Sequence, residues 1–243
     1  MNLIKLSAID STNSYLKGLV SNSELDDYTV VMAETQTQGR GQMGTKWVTE
    51  PGQNLTFSVF KKINCLQSDE QFYLSIAVSL AIYDALTYFS IPDLKIKWPN
   101  DILSWNSKIC GILIENIFKN GHMSAAIIGI GLNLNQSNFE GMINASSLKK
   151  ITGVYYNKLE VLQKIVDCIK FYEPWIVERK LDDLKTNYEQ LLFRKDKPST
   201  FKRKDGSLMM GFIKGVSNQG MLKVLLEDEV IEYFDLKELR LLY

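Results

Sequence analysis

Histidine and cysteine, from which many catalytic and metal sites are built, are scarce in this sequence. The one histidine, His122, follows Asn120-Gly121, a hairpin-turn signal, and is predicted to be an exposed turn residue. A His-dependent triad or metal cluster is therefore not expected. Cys65, Cys110 and Cys168 are odd in number and share no Cys-x-x-Cys spacing, which argues against disulfides and zinc and for a reducing compartment.

The sequence also lacks an excess of charge of either sign and a long hydrophobic run. Its 28 basic and 28 acidic residues cancel, so no global field attracts nucleic acid or a membrane surface. The N-terminus has no apolar signal-peptide core, and no apolar run is long enough to span a bilayer. We therefore expect a cytoplasmic protein with no DNA partner and no membrane partner.

Three glycines, Gly39, Gly41 and Gly44, have the Gly-x-Gly-x-x-Gly spacing of a dinucleotide-binding turn. Such a turn follows a strand and opens into a helix. Here a strand-like run, residues 28–33, does precede the glycines, but a turn and a second alternating run, residues 54–60, follow them. The context predicts a strand–loop–strand and removes the dinucleotide interpretation.

The same loop carries Arg40, Lys46 and Trp47. Two cations, a flat ring and a flexible backbone suit an anionic adenine nucleotide. A surface hairpin rich in glycine has a similar composition, so the loop alone leaves both interpretations open.

Two polar clusters lie at the ends of predicted elements. Residues 10–13, Asp-Ser-Thr-Asn, precede a helical pattern, where they either cap the helix or offer hydrogen bonds to a small polar ligand. Residues 97–101, Lys-Trp-Pro-Asn-Asp, end an alternating strand. Pro99 would stop the strand, so that Asn100 and Asp101 project from its end. A plain turn has this composition too, and both interpretations remain open.

Glycines also interrupt two predicted strands that flank the hairpin turn. Gly111 follows Lys108 by three residues, and glycine weakens a strand unless something approaches its backbone closely. In the second strand Gly129 and Gly131 alternate with branched aliphatic residues, so one strand face carries no side chains. Either a flat apolar ligand or a closely packed helix would fit against that face.

The rest of the sequence contains three predicted helices and a short β-rich tail. Residues 68–71 form a predicted capping box before a buried helix over residues 72–89. A second helix is predicted from Lys158, with Pro174 ending or kinking it, and a third over residues 181–191. The short β segments beyond a charged stretch suit a small barrel of about five strands.

In chain order these motifs resemble the signatures of the biotin–protein ligases. The resemblance covers Asp10 to Asn135 by motif and continues more loosely to the C-terminus. Four motifs carry it: Gly39-Arg40-Gly41-x-x-Gly44-x-x-Trp47, Lys97-Trp98-Pro99-Asn100-Asp101, Lys108-x-x-Gly111-Ile-Leu-Ile-Glu115 and Gly129-x-Gly131-x-Asn133. The resemblance implies an α+β fold, with a mixed β-sheet packed by helices as in class II synthetases over residues 1–195. It implies a small SH3-like β-barrel over residues 196–243.

The resemblance further implies an activity and a set of site residues. Biotin would be activated with ATP and Mg²⁺ to biotinyl-5′-AMP, and then transferred to a lysine of a biotin carboxyl carrier domain. Lys108 and Arg40 would be catalytic. Implied biotin-binding residues are Ser11, Thr12, Asn13, Gln36, Gly39, Arg40, Gly41, Gln42, Lys108, Gly111, Gly129 and Gly131. Implied ATP-binding residues are Trp47, Lys46, Asn100, Asp101, Lys108 and Asn133. No protein-only metal cage is expected, and Mg²⁺ would bind with ATP near Asp101.

The sequence departs from the family pattern in two ways. Gln42 and Thr45 stand where a guanidinium is common, so we expect weaker nucleotide binding or looser retention of the adenylate. Ser11 lies so near Met1 that we expect no N-terminal DNA-binding domain, and hence a ligase only. The alternatives are a lipoate–protein ligase, a non-catalytic biotin-binding module and, less favoured by the charge balance, a transcriptional repressor. Monomer and homodimer both remain open.

Overall fold

The computed structural model describes residues 1–119, 122–142, 144–236 and 238–243. Seven strands form a mixed sheet in the spatial order β1-β2-β3-β7-β6-β5-β4. Only β1 and β2 are parallel, and the other described pairs in this sheet are antiparallel. The strands are β1 (Asn2–Ile9), β2 (Thr29–Gln36), β3 (Leu55–Lys62), β4 (Leu94–Lys97), β5 (Asp101–Ser104), β6 (Ser107–Lys119) and β7 (His122–Leu132).

Helices cover both faces of this sheet, because alternate strand residues point to opposite sides. Val30 and Met32 of β2 join the larger core, whereas Val31 packs with Leu16 of α1 in a smaller core on the other face. The larger core includes residues of α2, α4 and α5. The helices are α1 (Thr12–Asn22), α2 (Phe72–Tyr88), α3 (Leu148–Thr152), α4 (Lys158–Val177) and α5 (Leu181–Gln190).

The predicted helices are confirmed with small corrections at their ends. A 3-10 helix precedes α2, and its capping box joins Gln67 and Glu70, one residue earlier than predicted. The helix that was expected to end or kink at Pro174 does not end there but continues to Val177. Buried Tyr172 and Ile176 on either side of the proline hold this last turn against the core. Among the described residues, no helix is long and apolar enough to cross a membrane.

The β-rich tail forms a second, antiparallel sheet of five strands in the order β11-β10-β9-β8-β12. The strands are β8 (Pro198–Arg203), β9 (Leu208–Val216), β10 (Leu222–Leu225), β11 (Ile231–Phe234) and β12 (Leu239–Leu242). The mixed sheet with its helices and this second sheet confirm the predicted α+β class, and the five-strand expectation is confirmed as well. Closure of the second sheet into an SH3-like barrel stays a prediction.

The predicted β-hairpin is present as β6 and β7, which pair antiparallel out to Lys119 and His122. The expected turn at Asn120-Gly121 lies outside the described residues. His122 is exposed, as predicted, but it is the first residue of β7 rather than a turn residue.

Candidate functional site

One cavity of about 530 Å³ brings the sequence motifs together. It lies between the N-terminus of α1, the glycine loop, strands β6 and β7, and the C-terminal sheet. This size is typical of a small-molecule site. Every predicted site residue except Gly39 and Asn133 lines it.

The end of the cavity beside α1 is lined by short polar side chains. Gln36 Oε1 accepts hydrogen bonds from the Thr12 backbone N–H, at 2.8 Å, and from Thr12 Oγ1, at 3.1 Å. Ser58 Oγ lies 2.7 Å from Thr12 Oγ1 and 2.6 Å from Asn13 Oδ1. Ser11 occupies the N-cap position, but within the described residues its side chain makes no capping bond. The N-cap interpretation of residues 10–13 is therefore only partly right, and Ser11 remains available to a ligand.

Ser58 was missed by the sequence reasoning, although a serine in the middle of the buried strand β3 could have marked it. It is fully buried, and it connects two of the predicted ligand-binding side chains. A buried hydroxyl needs partners, so Ser58 fixes the orientation of Thr12 and Asn13.

Asn13 explains one of the strand glycines. Its Nδ2 donates to Leu113 O at 3.2 Å and to Glu115 Oε2 at 2.9 Å. A Cβ on Gly129 would collide with the Asn13 amide. A ligand is therefore not the only group that approaches the glycine-bearing face of β7, because the Asn13 side chain packs against Gly129.

The glycine loop folds into a narrow hairpin. Arg40 and Lys46 pair as an antiparallel bridge, and the Trp47 N–H donates to Gly39 O at 2.9 Å. The N–H of Gly41 donates to Thr45 O at 2.7 Å. A Cβ on Gly39 would collide with the Trp47 carbonyl, so Gly39 is needed for this pairing rather than for lining the cavity.

Thr45 has a place of its own in this hairpin. Thr45 Oγ1 donates to Gln42 O at 2.8 Å. A Cβ on Gly41 would collide with Thr45 Oγ1. The Thr45 hydroxyl therefore closes the turn of the loop. An arginine at this position could not form the same short hydrogen bond to Gln42 O.

Trp47 lies on the floor of the cavity. A Cβ on Gly131 would lie only 2.7 Å from Trp47 Nε1, and one on Gly111 would lie 3.1 Å from Trp47 Cζ3. The two strand glycines thus make room for the indole. Trp47 Nε1 is buried and has no hydrogen-bond acceptor among the described residues. An unpaired buried donor in a cavity is satisfied best by an acceptor on a ligand.

Two lysines share one carboxylate at the strand end predicted from the sequence. Lys108 Nζ lies 2.6 Å from Asp101 Oδ1, and Lys97 Nζ lies 3.7 Å from Asp101 Oδ2. The Lys108 contact is an ion pair without hydrogen-bond geometry, since Asp101 Oδ1 has no directed partner in the described part of the chain. The cluster carries a net positive charge, which favours an anionic ligand.

Arg40 reaches back toward α1. Its Nη2 lies 3.4 Å from Glu115 Oε1, and its Nη1 donates to Ser14 Oγ at 3.4 Å. Both distances are long, and the Arg40 side chain is half-exposed. Glu115 also accepts from Asn13, so one carboxylate ties the loop to the polar end of the cavity.

The two predicted asparagine ligands of a nucleotide both bond to backbone. Asn100 Nδ2 donates to Ile112 O at 2.8 Å, which fixes residues 99–101 against β6. Asn133 is buried outside the cavity, and its Nδ2 donates to Ser146 O at 3.0 Å. The structure thus brings Asn100 into the site and leaves Asn133 out of it.

Cys110, next to the site in sequence, is not a nucleophile candidate. Its side chain is fully buried, and burial raises the pKa of the thiol far above its usual range. The neutral thiol packs in the core with Ile109 and Ile112.

The C-terminal sheet supplies a wall of the cavity that the sequence reasoning did not anticipate. No local spacing in the β-rich tail distinguishes these residues from ordinary core positions. The tail residues that line the cavity are Phe201, Ile213, Leu222, Leu236, Leu239, Arg240 and Leu241.

Comparison with known proteins connects this site to a family. Residues 6–133 match the sequence model described as the biotin/lipoate A/B protein ligase family. The bifunctional ligase/repressor BirA of Salmonella typhimurium is 27% identical over 95% of this chain and 71% of its own length. The biotin–[acetyl-CoA-carboxylase] ligase of Mycobacterium tuberculosis is 31% identical over 57% of this chain and 51% of its own length.

The fold is similar to solved structures along its whole length. The biotin protein ligase from Aquifex aeolicus in complex with biotin and ATP superimposes with a TM-score of 0.82 at 27% identity, covering 99% of this chain and 98% of that one. Several curated relatives are longer: the matched segment spans 39% of Escherichia coli BirA and 53% of the Bacillus spizizenii protein.

Proposed function

Because the chain belongs to the biotin/lipoate A/B protein ligase family, we propose that it is an ATP-dependent biotin–protein ligase. The biotin carboxylate attacks the α-phosphorus of ATP, which gives biotinyl-5′-AMP and releases pyrophosphate. A lysine amine of an acceptor protein then attacks the acyl carbon, an amide forms, and AMP leaves. The observation that carries the proposal is the lysine pair around Asp101, which opens into the same cavity as the polar side chains at α1.

The polar end of the cavity is assigned to the biotin head. Ser58 holds Thr12 and Asn13 in fixed orientations, and Thr12 in turn holds Gln36 through two hydrogen bonds. Fixed donors and acceptors discriminate among ligands, since a ligand that lacks the matching group leaves them unpaired. Ser11 and Gln42 are assigned to biotin as well, because both line the same cavity.

The cationic end is assigned to the phosphates. The first step brings a carboxylate onto a phosphate, so negative charge accumulates there, and we assign Lys108 and Arg40 to stabilise it. Lys46 adds a further cation on the loop, and the unpaired Trp47 Nε1 offers a donor to the nucleotide. These groups act by position and charge, and no covalent enzyme intermediate is required.

Mg²⁺ is assigned to the nucleotide rather than to a protein cage. Within the described residues, no group of three or more His, Cys, Asp or Glu side chains could hold a metal ion. Asp101 is the carboxylate in the cavity, and ATP oxygens and water would supply the other ligands that Mg²⁺ prefers. The ion would supply charge neutralisation of the phosphates. Lys97 and Lys108 hold the Asp101 carboxylate at the cavity wall until ligand arrives.

A biotin carboxyl carrier domain is proposed as the acceptor, in the cytoplasm and without a DNA partner. The three cysteines are free, which suits a reducing compartment. The equal numbers of acidic and basic residues support the absence of nucleic-acid binding.

Biotin-dependent exchange of pyrophosphate into ATP tests the proposal. With ATP and Mg²⁺, biotin should support exchange and lipoate should not, and the activated biotin should then pass to a purified carrier domain. Lipoate preference would identify a lipoate–protein ligase instead. Biotin binding without any exchange would identify a non-catalytic binding module.

A further inference from the structure

An aromatic side chain at the end of the C-terminal sheet contacts the lysine pair around Asp101. Lys97 Nζ lies 5.1 Å from the centroid of the Tyr243 ring and 3.7 Å from Asp101 Oδ2. Lys97 lines the cavity, whereas Tyr243 does not belong to the described lining. Tyr243 therefore acts on the cavity through the side chains that it contacts.

Contacts with the main body fix the position of the Tyr243 ring. Tyr243 directly follows β12, a strand that supplies part of the cavity wall. Its ring packs edge-on against Phe193, with the two ring centroids 4.9 Å apart. The Phe193 N–H donates to Ile96 O at 2.8 Å, and Lys97 is the residue after Ile96. Because Phe193 is bonded to the backbone of β4, the ring that packs on it is held beside the next side chain of that strand.

The main chain of Tyr243 is linked to the second lysine of the pair. Tyr243 O accepts a hydrogen bond from Asn144 Nδ2 at 3.3 Å, and Asn144 O accepts the Lys108 N–H at 2.7 Å. Tyr243 thus contacts one lysine through its ring and is connected to the other through its backbone. A substitution of the side chain leaves the backbone link in place, so it isolates the effect of the ring.

An aromatic ring holds an ammonium group without neutralising its charge. A carboxylate partner cancels the charge of Lys97, whereas the negative face of a ring attracts the ammonium through its quadrupole and leaves that charge in place. Burial raises the pKa of the Tyr243 hydroxyl, and the Asp101 carboxylate raises it further, so this ring is neutral at pH 7. Lys97 is also the more weakly paired lysine, at 3.7 Å from Asp101 against 2.6 Å for Lys108. It is therefore the lysine that an anionic ligand can take over more easily.

We propose that Tyr243 is a positioning residue that holds Lys97 for the phosphates of the nucleotide. This inference rests on the proposed function, because it assigns Lys97 to the phosphates of ATP. Once a bound nucleotide engages Asp101, Lys97 loses its carboxylate partner, and the Tyr243 ring keeps the ammonium at the cavity wall. A lysine that is already restricted loses less conformational entropy when it binds a phosphate. The C-terminal sheet thereby contributes to nucleotide affinity through a residue of the main body.

Titration calorimetry with ATP and Mg²⁺, and separately with biotin, tests the proposal. Tyr243→Leu keeps an apolar side chain but removes the ring, so the dissociation constant for ATP should rise about 2- to 5-fold, the range expected for one partly exposed cation–π contact. The dissociation constant for biotin and kcat for pyrophosphate exchange should stay at their wild-type values. Tyr243→Phe keeps the ring and should bind ATP as the wild type does. An equal loss in Tyr243→Phe would assign the effect to the hydroxyl and overturn the proposal.

A double-mutant cycle with Lys97→Met separates this contact from a general loosening of the cavity wall. With Lys97→Met already present, Tyr243→Leu should not weaken ATP binding further, because the two residues act as one unit. Tyr233→Leu is the matched control. Tyr233 is a similarly exposed tyrosine of the same sheet, with Lys223 Nζ 5.8 Å from its ring centroid, and it lies outside the described cavity. This variant should bind ATP and biotin as the wild type does.

Three results would overturn the proposal: wild-type affinity for ATP in Tyr243→Leu, a loss that adds to that of Lys97→Met, or an equal loss of biotin affinity. Failure of the proposed function has a different signature, since the wild-type chain itself would then show no biotin-dependent exchange. Because ATP binding is measured directly, the role of Tyr243 is tested in either case.

Discussion

Lys108 stands at the point of the cavity where the proposed reaction needs positive charge. Its Nζ contacts Asp101 from a side chain that is 34% exposed. We predict that Lys108→Ala lowers kcat/KM for pyrophosphate exchange by about 10²- to 10³-fold, the loss expected when one fixed electrostatic group is removed. The free energy of unfolding should change by less than about 1 kcal/mol, because the ion pair is partly solvated.

Lys62→Ala is the control for this prediction. Lys62 also forms a partly exposed ion pair, with Glu24, but it lies outside the described cavity. Exchange should stay at the wild-type rate in this variant. Near-normal exchange in Lys108→Ala would show that the role assigned to Lys108 is wrong.

Trp47 and Gly131 form a contact that a double-mutant cycle can isolate. An alanine Cβ at residue 131 would collide with the indole, so Gly131→Ala should displace Trp47 and raise KM for ATP more than it weakens biotin binding. With Trp47→Ala already present, Gly131→Ala should add little. Contacting residues typically couple by about 0.5–3 kcal/mol in such cycles. Additive effects on KM for ATP would mean that the two residues act separately.

The sequence predicted some cavity-lining residues and missed others, because sequence spacing does not report tertiary contacts. Lys108, Asp101 and the residues near α1 were predicted because they belong to motifs with fixed spacing, and all of them line the cavity. Ser58 is isolated in its strand, so no spacing marked it. Asn133 belongs to a motif, yet its amide bonds to the backbone of Ser146, which lies 13 residues away. A sequence motif can identify a residue of a site, but the hydrogen-bond partner of that residue is set by the tertiary fold.

Helices α2 and α4 are joined at their ends by one ion pair. The guanidinium of Arg179, just after α4, donates to both oxygens of Glu70, in the turn before α2, with Nη1–Oε2 at 2.7 Å. The hydrogen bonds from Arg179 lower the pKa of Glu70 below its usual value. A carboxylate with a lowered pKa stabilises the fold above its unfolded pKa of about 4.3, and this stabilisation is lost as the pH falls through the lower folded value.

We therefore predict that Arg179→Gln destabilises the protein at pH 7 and that the difference from wild type shrinks in acid. Urea unfolding at several pH values between neutrality and the folded pKa of Glu70 measures this. Lys180→Gln is the control, since the Lys180 side chain pairs with Glu178, at the C-terminal end of α4. A difference that is constant with pH would instead point to the hydrogen bond from Arg179 to Cys65 O.

Elements were predicted well where a periodic pattern is long, and less well where tertiary packing decides. Residues 72–89 are apolar at almost every position, which predicted a buried helix. The observed helix α2 ends one residue earlier than predicted. Pro174 was expected to end or kink α4, but burial of Tyr172 and Ile176 outweighs the lost hydrogen bond and the helix continues. The two strand glycines of β7 pointed to a close approach, but only the structure shows that Asn13 and Trp47 make it.

The cavity is formed by both parts of the molecule, since residues of the main body and residues of the C-terminal sheet line its walls. We propose that residues 1–195 and 196–243 are two domains. The segment between α5 and β8 would then be the point where they can separate. Glu189 of α5 bridges them, since its Oε1 accepts the Val216 N–H of β9 at 2.9 Å. Glu189 itself does not line the cavity.

We predict that Glu189→Ala loosens the sheet from the body and raises KM for ATP, while biotin affinity stays close to wild type. The reason is that the polar end of the cavity belongs to the main body, whereas the opposite wall comes from the tail. Limited proteolysis should cut the variant faster around residues 194–198. Glu189→Gln keeps an oxygen acceptor for the Val216 N–H and should restore both measurements. Equal losses in Glu189→Gln and Glu189→Ala would show that the charge of Glu189, rather than this bond, joins the two parts.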